Sequence, residues 1–158
     1  MIFTPTSRAM VVYDATNLLE DDKKVIIISI NEEGNIDILP PYDLPMVKNI
    51  NDLTLPAVEV PILILNFTDI YFQIDNYTIF DEVMAEQIFS FVDINNYADV
   101  CLVHCHAGVS RSPAVCAGLS LHYNKKCDEY FRKHVPNPLV FYKMVEQSYK
   151  LKTNRCSA

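Results

Sequence analysis

Several features that mark special classes of protein are scarce or absent in this sequence. It has only three glycines and contains no repeat or low-complexity segment, which excludes a fibrous or disordered class. No run of about 18 apolar residues is present, and no basic region precedes a long apolar core at the N-terminus, so we expect neither a membrane span nor a secretory signal. The five cysteines are odd in number and irregularly spaced, which is typical of a reduced, cytoplasmic protein rather than a disulfide framework.

Positive charge is also in short supply. Thirteen lysines and arginines against 20 aspartates and glutamates leave a net charge of −7. This balance argues against broad binding to nucleic acid or to an anionic membrane. We therefore expect no nucleic-acid or membrane partner. We also expect the protein to be a cytoplasmic monomer.

The hydrophobic pattern predicts one α/β domain. The chain has 158 residues, half of them apolar, which is enough for a sizeable core. Apolar runs predict buried strands over 25–30, 61–67 and 99–104, and helices are predicted over 7–13, 79–92, 112–123, 127–133 and 138–150. Strands that alternate with helices indicate a mostly parallel sheet of about four to five strands, with helices on both faces. Prolines between residues 37 and 57 predict irregular structure there.

The residues that carry the most chemistry lie where the third of these strands ends, at His104 and Cys105. A predicted loop of five residues follows: His106, Ala107, Gly108, Val109 and Ser110. A nucleophilic cysteine must be a thiolate, yet a free thiol has a pKa of about 8.5. At the start of a helix, unpaired backbone N–H groups and the helix dipole favour the thiolate and also bind an anion of phosphate size.

The residues that open the next helix complete this arrangement. Gly108 allows the loop to turn or to approach a ligand closely, and Pro113 fits a first helical turn. Arg111 can bind two oxygens of a tetrahedral oxyanion through its fork of donors. The Ser112 hydroxyl can donate to the cysteine sulfur. Cys-x5-Arg alone is a weak signal, and the neighbouring histidine, glycine and serine make it specific.

The pattern His104-Cys105-x-x-Gly108-x-x-Arg111-Ser112 resembles the signature loop of cysteine-dependent protein tyrosine phosphatases. The string His-Ala-Gly-Val-Ser-Arg-Ser-Pro is most similar to the dual-specificity branch of that superfamily. The stretch 135–141 is similar to the same branch, in which a Pro-Asn pair, here with Asn137, opens the last helix. The resemblance covers about residues 60–150 and is looser before residue 55. It implies a single phosphatase-like catalytic domain over residues 1–158.

The resemblance also implies a reaction. Phosphate monoesters on protein tyrosine, and on serine or threonine if the pocket is shallow, would be hydrolysed through a phosphocysteine at Cys105, without metal or cofactor. Arg111 and the loop N–H groups would hold the phosphate, and Ser112 would help the thiolate to leave. His104 would orient the loop, and Asn137 would support it by capping the last helix.

Two aspartates are candidates for the acid that protonates the leaving group. Asp69 directly follows a predicted strand and would therefore lie at the same sheet edge as Cys105. Asp75 lies further along the same loop, with a spacing closer to that of compact animal members of the family. We favour Asp69 and keep Asp75 as the alternative. Asp81 is interpreted as a structural carboxylate in the first turn of a helix.

Other functions remain as alternatives. A catalytically impaired phosphate-binding module would keep the loop but lack a working acid, and a rhodanese-like sulfurtransferase would also use a loop cysteine. None of His106, Ala107, Val109 and Ser110 carries a permanent positive charge, which favours phosphotyrosine. A phosphorylated nucleotide, RNA end or inositol phosphate is the alternative substrate. A zinc site built from Cys101, His104, Cys105 and His106 is disfavoured, because strand neighbours point to opposite faces.

Overall fold

A computed structural model describes residues 1–32, 60–72 and 74–155. This part of the chain contains four strands, β1 (Ile2–Ser7), β2 (Val25–Asn31), β3 (Ile62–Asn66) and β4 (Val100–Cys105). Its helices are α1 (Val11–Glu20), α2 (Glu82–Ile94), α3 (Arg111–His122), α4 (Asp128–Lys133) and α5 (Pro138–Arg155). The strands form one parallel sheet in the order β1-β4-β2-β3. The predicted α/β class and parallel sheet are therefore confirmed.

Helices cover both faces of the sheet because the two central strands are buried on both sides. Along β2, Ile26, Ile28 and Ile30 belong to a large core that also contains side chains of α2, α3, α4 and α5. Val25 and Ile27 belong to a smaller core beneath α1. This alternation follows from the two-residue period of a strand. Because both faces of the strand are buried, nearly every residue in it is apolar, so a continuous apolar run predicts a central parallel strand.

The prediction for the first residues was wrong. A helix over 7–13 with Ser7 as its N-cap was expected, whereas Ser7 ends β1 and α1 begins only at Val11. Strand β1 is short and contains Pro5, so its local pattern is weak. It pairs with β4 along its whole length, from Ile2 opposite Val100 to Ser7 opposite Cys105. A long-range pairing of this kind is not visible in the local sequence.

The predicted burial of the second strand was also wrong. The strand exists as β3, but it lies at the edge of the sheet, and Ile64 is 56% exposed. The other predicted elements are confirmed to within a few residues. Asp81 has the structural role expected of it, because its side chain caps α2 by accepting a hydrogen bond from the backbone N–H of Met84 at 2.8 Å. The irregular structure expected over 37–57 lies outside the described residues.

The polar ends of the strands meet at one edge. Because all four strands are parallel, Ser7, Asn31, Asn66 and Cys105 lie at the same side of the sheet, which is where parallel α/β sheets bind ligands. Among the helices of the described ranges, none has the length and apolar character needed to cross a bilayer.

Candidate active site

Cys105 is the last residue of β4 and is only 2% exposed. Its Sγ atom accepts a hydrogen bond from the backbone N–H of Gly108 at 3.3 Å and lies 3.3 Å from the Ser112 Oγ. Ser112 is in the first turn of α3, so the sulfur lies at the N-terminal end of that helix. Backbone donors at such an end favour negative charge.

The pKa of Cys105 is lowered. Burial by itself raises this pKa, but hydrogen bonds from the Ser112 side chain and from the backbone N–H groups of Ser112 and Gly108 outweigh it, with help from the positive charge of Arg111. Burial raises the pKa of Cys101 and Cys116 well above the usual value for a thiol. Of these three buried cysteines, Cys105 is thus the one in an environment that favours the nucleophilic thiolate.

The conformation of the loop depends on Gly108. Its φ of +75° lies in the left-handed region, and a Cβ there would approach the backbone of Thr6 and Ser7 to between 2.8 and 2.9 Å. The loop rests directly on the end of β1, where the Arg8 N–H donates to the carbonyl oxygens of Cys105 at 2.9 Å and His106 at 3.2 Å. A side chain at position 108 would push the loop off this support.

Arg111 is 3% exposed and is held by two protein acceptors. Its Nη1 donates to the Phe67 carbonyl oxygen at 2.7 Å, and its Nη2 donates to the Glu32 Oε1 at 2.9 Å. Its Nε is buried and has no hydrogen-bond partner among the described residues. The Asp69 Oδ2 is 4.0 Å from this Nε, beyond hydrogen-bond distance. A buried donor of this guanidinium therefore remains for a ligand.

Asp69 lies beside the loop. Its Oδ1 accepts hydrogen bonds from the Ser110 Oγ at 2.9 Å and from the Asn137 Nδ2 at 2.7 Å. The Asn137 Oδ1 accepts from the Val140 N–H at 3.1 Å, which confirms the predicted cap of α5. The backbone N–H of Asn137 donates to the Ser110 carbonyl at 3.1 Å. A single residue thus joins the start of α5, the loop and Asp69.

Asp75, the alternative acid, lies in an exposed turn of the same connection. Among the described residues, the hydrogen bonds between this connection and residues 106–112 involve Asp69 and Phe67 rather than Asp75. The structure therefore brings Asp69 to the cysteine loop. Its role as the acid stays a prediction.

The other residues predicted for the site have different surroundings. His104 is fully buried, and burial lowers its pKa to about 4, with a further contribution from the charge of Arg8 and an opposing one from a backbone hydrogen bond at Cys105. It is therefore neutral at physiological pH, which suits a supporting role. His106, Ala107 and Val109 are exposed at the rim of the loop.

Sequence reasoning missed Glu32, Phe67 and Arg8. Each directly follows a strand of the sheet, and each contacts the loop or Arg111. Their position after strands that end at the same edge as Cys105 is the signal that could have found them. Within the described ranges, no group of three His, Cys, Asp or Glu side chains is arranged to hold a metal ion.

Several solved structures are similar to this chain over most of its length. PTPMT1, which has also been solved in complex with PI(5)P, matches with a TM-score of 0.58 and 15% identity over 99% of this chain and 94% of that chain. Human DUSP28 matches with a TM-score of 0.56 and 16% identity over 96% and 94%, respectively. The human tyrosine phosphatase-like serine/threonine/tyrosine-interacting protein matches with a TM-score of 0.53 and 18% identity over 96% and 89%.

Comparison with models of protein families and with curated proteins gives no match. The likeness to the solved structures extends over nearly the whole chain, and at this level of identity it establishes the fold. The chain therefore has the α/β fold of the dual-specificity branch of the protein tyrosine phosphatase superfamily.

Proposed function

We propose that this protein hydrolyses phosphate monoesters through a phosphocysteine intermediate at Cys105. The observation that carries the proposal is the position of the Cys105 sulfur, 3.3 Å from both the Gly108 nitrogen and the Ser112 hydroxyl at the start of α3. The same donors that lower the pKa of the thiol surround the place where a phosphate would bind.

In the first step, the Cys105 thiolate attacks phosphorus in line, and the bond from phosphorus to the ester oxygen breaks. Arg111 and the N–H groups of the loop hold the three equatorial oxygens as charge develops on them. Protonated Asp69 donates its proton to the departing oxygen, which leaves as an alcohol or phenol. The product of this step is phosphocysteine.

In the second step, the Asp69 carboxylate accepts a proton from a water molecule, whose oxygen attacks phosphorus. The bond from sulfur to phosphorus breaks, and inorganic phosphate is formed. Cys105 leaves as a thiolate, which the Ser112 hydroxyl stabilises by donating a hydrogen bond across the 3.3 Å between them. Both steps thus use groups that belong to the loop and the start of α3 or that contact them.

The free donor of Arg111 supports the binding of an oxyanion. Burying a polar N–H without a partner costs free energy, and such groups are rare in folded proteins. The Arg111 Nε is in this position, while Nη1 and Nη2 are already anchored. Guanidinium has five N–H groups, and the two protein acceptors use only two of them. A phosphate oxygen beside Nε would accept a hydrogen bond from the N–H that has no partner.

We further propose that the substrate is a phosphotyrosyl protein, that the whole of residues 1–158 forms one catalytic domain, and that the protein is a cytoplasmic monomer. The loop rim at His106, Ala107 and Val109 has no permanent positive charge to attract a polyphosphate, and the net charge of −7 disfavours one. Tyr71 and Phe72 are exposed and follow Asp69 closely, so they offer apolar contacts to an aryl leaving group. Because PTPMT1 has been solved with PI(5)P, an inositol phosphate is the substrate to compare.

The test is the hydrolysis of p-nitrophenyl phosphate between about pH 4.5 and about pH 8. We expect Cys105→Ser to abolish turnover. Asp69→Asn is expected to lower kcat by about 10²-fold or more, which is the usual contribution of general acid catalysis. It is also expected to remove the decline of kcat towards alkaline pH, because asparagine has no proton to lose. Asp75→Asn is the matched control and should behave as the native protein. If Asp75→Asn shows the loss instead, Asp75 is the acid.

A phosphate-binding module is the second candidate. The observation that favours it is that the Oδ1 atom of Asp69, the candidate acid, already accepts hydrogen bonds from Ser110 and Asn137. Binding of vanadate or a phosphopeptide that requires Arg111, without any turnover, would establish this function and overturn the hydrolase. Comparison of kcat/KM for phosphotyrosyl peptide, phosphoseryl peptide and inositol phosphate decides the substrate class of an active enzyme.

A further inference from the structure

Three segments of the chain meet beside the cysteine loop. The Asp69 Oδ1, in the connection between β3 and α2, accepts from the Ser110 Oγ of the loop at 2.9 Å and from the Asn137 Nδ2 at 2.7 Å. The loop also contacts the link between α4 and α5 directly, since the Val135 N–H donates to the Val109 carbonyl oxygen at 3.1 Å. Side chains that neighbour these contacts in the sequence therefore surround the loop.

Exposed apolar side chains come from all three segments. Four of them, which we call the apolar border, are exposed to solvent: Val109, Val135, Tyr71 and Phe72. None of the segments 67–80, 106–110 and 134–137 contains a lysine or an arginine. Exposed apolar side chains that are grouped around a site mark a surface that a partner covers.

The charges near the apolar border indicate what kind of partner fits it. The charged residues of the segment 67–80 are Asp69 and Asp75, and the whole chain carries a net charge of −7. This negative field repels an acidic peptide or an anionic bilayer. An uncharged apolar side chain is not repelled, and it is stabilised when it leaves water for an apolar surface. A peptide with apolar residues therefore fits the border better than a charged peptide or a lipid surface does.

We propose that the apolar border selects phosphotyrosine that is flanked by large apolar side chains. This inference rests on the proposed function and deepens it, because it names the sequence around the phosphotyrosine. An extended peptide advances about 3.3 Å per residue, so the residues next to the phosphotyrosine stay close to the mouth of the loop. There Val135 and Phe72, from two different segments, offer apolar area to the flanking side chains.

The experiment compares phosphotyrosyl peptides of equal length that carry leucine, serine, glutamate or lysine on both sides of the phosphotyrosine. We expect kcat/KM for the leucine peptide to exceed that for the serine peptide by about tenfold, because the leucine side chains leave water. The glutamate peptide should be the poorest substrate, because the charge of the chain repels it.

Substitutions at Val135 test whether the border causes this preference. Val135→Ser should reduce the leucine preference to about threefold or less, because it removes apolar area and keeps the backbone N–H that bonds to Val109. Val135→Lys should raise kcat/KM for the glutamate peptide relative to the leucine peptide, because it places a positive charge beside the acidic flank. A purely structural role of Val135 would change all four peptides alike.

Ile94→Ser is the matched control. Ile94 is an exposed β-branched residue at the end of α2, shortly before β4 begins and thus at the opposite edge of the sheet from Cys105, so the preference should not change. The proposal is overturned if the native protein hydrolyses the leucine and serine peptides equally, or if both serine variants change the preference equally. It is also overturned if the peptides are equal and neutral phosphatidylcholine vesicles retain the native protein but not Val135→Ser, since the border would then face a bilayer.

Failure of the proposed function gives a different result. Hydrolysis of p-nitrophenyl phosphate reports the reaction alone, because this substrate has no flanking residues, and turnover without a leucine preference overturns only this inference. If no substrate is hydrolysed, the affinity of the same peptides, measured by fluorescence anisotropy, decides. A leucine preference in affinity that requires Val135 supports the inference for a binding module, and equal affinities overturn it.

Discussion

Cys105 differs from the other buried cysteines because of its neighbours rather than its depth. Cys101 lies on the same strand and Cys116 on the following helix, and both are fully buried with raised pKa values. Cys105 is nearly as buried, but donors from Gly108 and Ser112 point at its sulfur. The lowered pKa of Cys105 is therefore a property of the loop and the helix start, which a count of cysteines does not show.

The pH dependence of thiol alkylation tests this view. Ser112→Ala removes the hydrogen bond that does most to lower the pKa of Cys105, so the midpoint for reaction with iodoacetamide should move to higher pH. Ser120→Ala is the matched control, because Ser120 is buried in the same helix but contacts the Tyr130 hydroxyl. A midpoint that moves equally in both variants, or in neither, would contradict the role assigned to Ser112.

At the scale of elements, the start of α5 links fold stability to the site. The Asn137 side chain caps the helix through its oxygen and holds Asp69 through its nitrogen. The two ends of one amide thus serve two purposes, and substitutions can separate them.

Asn137→Ala should lower the free energy of unfolding by about 1 kcal/mol through loss of the cap, and kcat should also fall. Asn137→Asp keeps an acceptor for the cap but removes the donor to Asp69 and places a second carboxylate beside it. We expect the aspartate variant to retain most of the stability and to lose more activity than the alanine variant. Urea unfolding and p-nitrophenyl phosphate kinetics on the same preparations measure both. A native kcat in both variants would mean that Asn137 acts on the helix alone.

The elements also show which sequence signals are reliable. Strands β2 and β4 were predicted correctly because each is a continuous apolar run. Such a run is typical of a central parallel strand, and it is visible in the local sequence without knowledge of the neighbouring elements. Strand β1 was missed and β3 was wrongly taken as buried, because both lie at edges. Their pairing and exposure depend on distant parts of the chain rather than on their own residues.

At the scale of the whole molecule, the burial of His104 makes stability depend on pH. Its pKa is about 4 in the folded protein and about 6.5 when unfolded, so the unfolded chain binds more protons between these values. Stability should therefore fall as the pH is lowered through this window. The titration of His104 should lower the free energy of unfolding by on the order of 3 kcal/mol between about pH 7 and about pH 4.

Urea unfolding at several pH values in this window checks the expectation. His104→Gln should flatten the pH dependence, because the glutamine side chain does not titrate. His134→Gln is the matched control, since His134 is only partly buried at the end of α4. A steep slope that survives His104→Gln would assign the acid sensitivity to other groups.

The arrangement of the residues around Cys105 was largely predictable from one stretch of sequence. His104, Cys105, Gly108, Arg111 and Ser112 lie within nine consecutive residues, so the loop and the helix start that bring them together form locally. Their spacing was enough to predict an anion site with a nucleophile. Asp69 could be favoured over Asp75 only by assuming where a strand ended.

By itself, the sequence determined the α/β class, the two central strands and the cysteine loop, because hydrophobic period and turn chemistry act over a few residues. The tertiary structure alone decided that β1 pairs with β4, that Asp69 lies against Ser110 and Asn137, and that Glu32 holds Arg111. These contacts join residues that are far apart in the chain. They exist because parallel strands bring their ends to a common edge, and no local pattern encodes which strand ends will meet there.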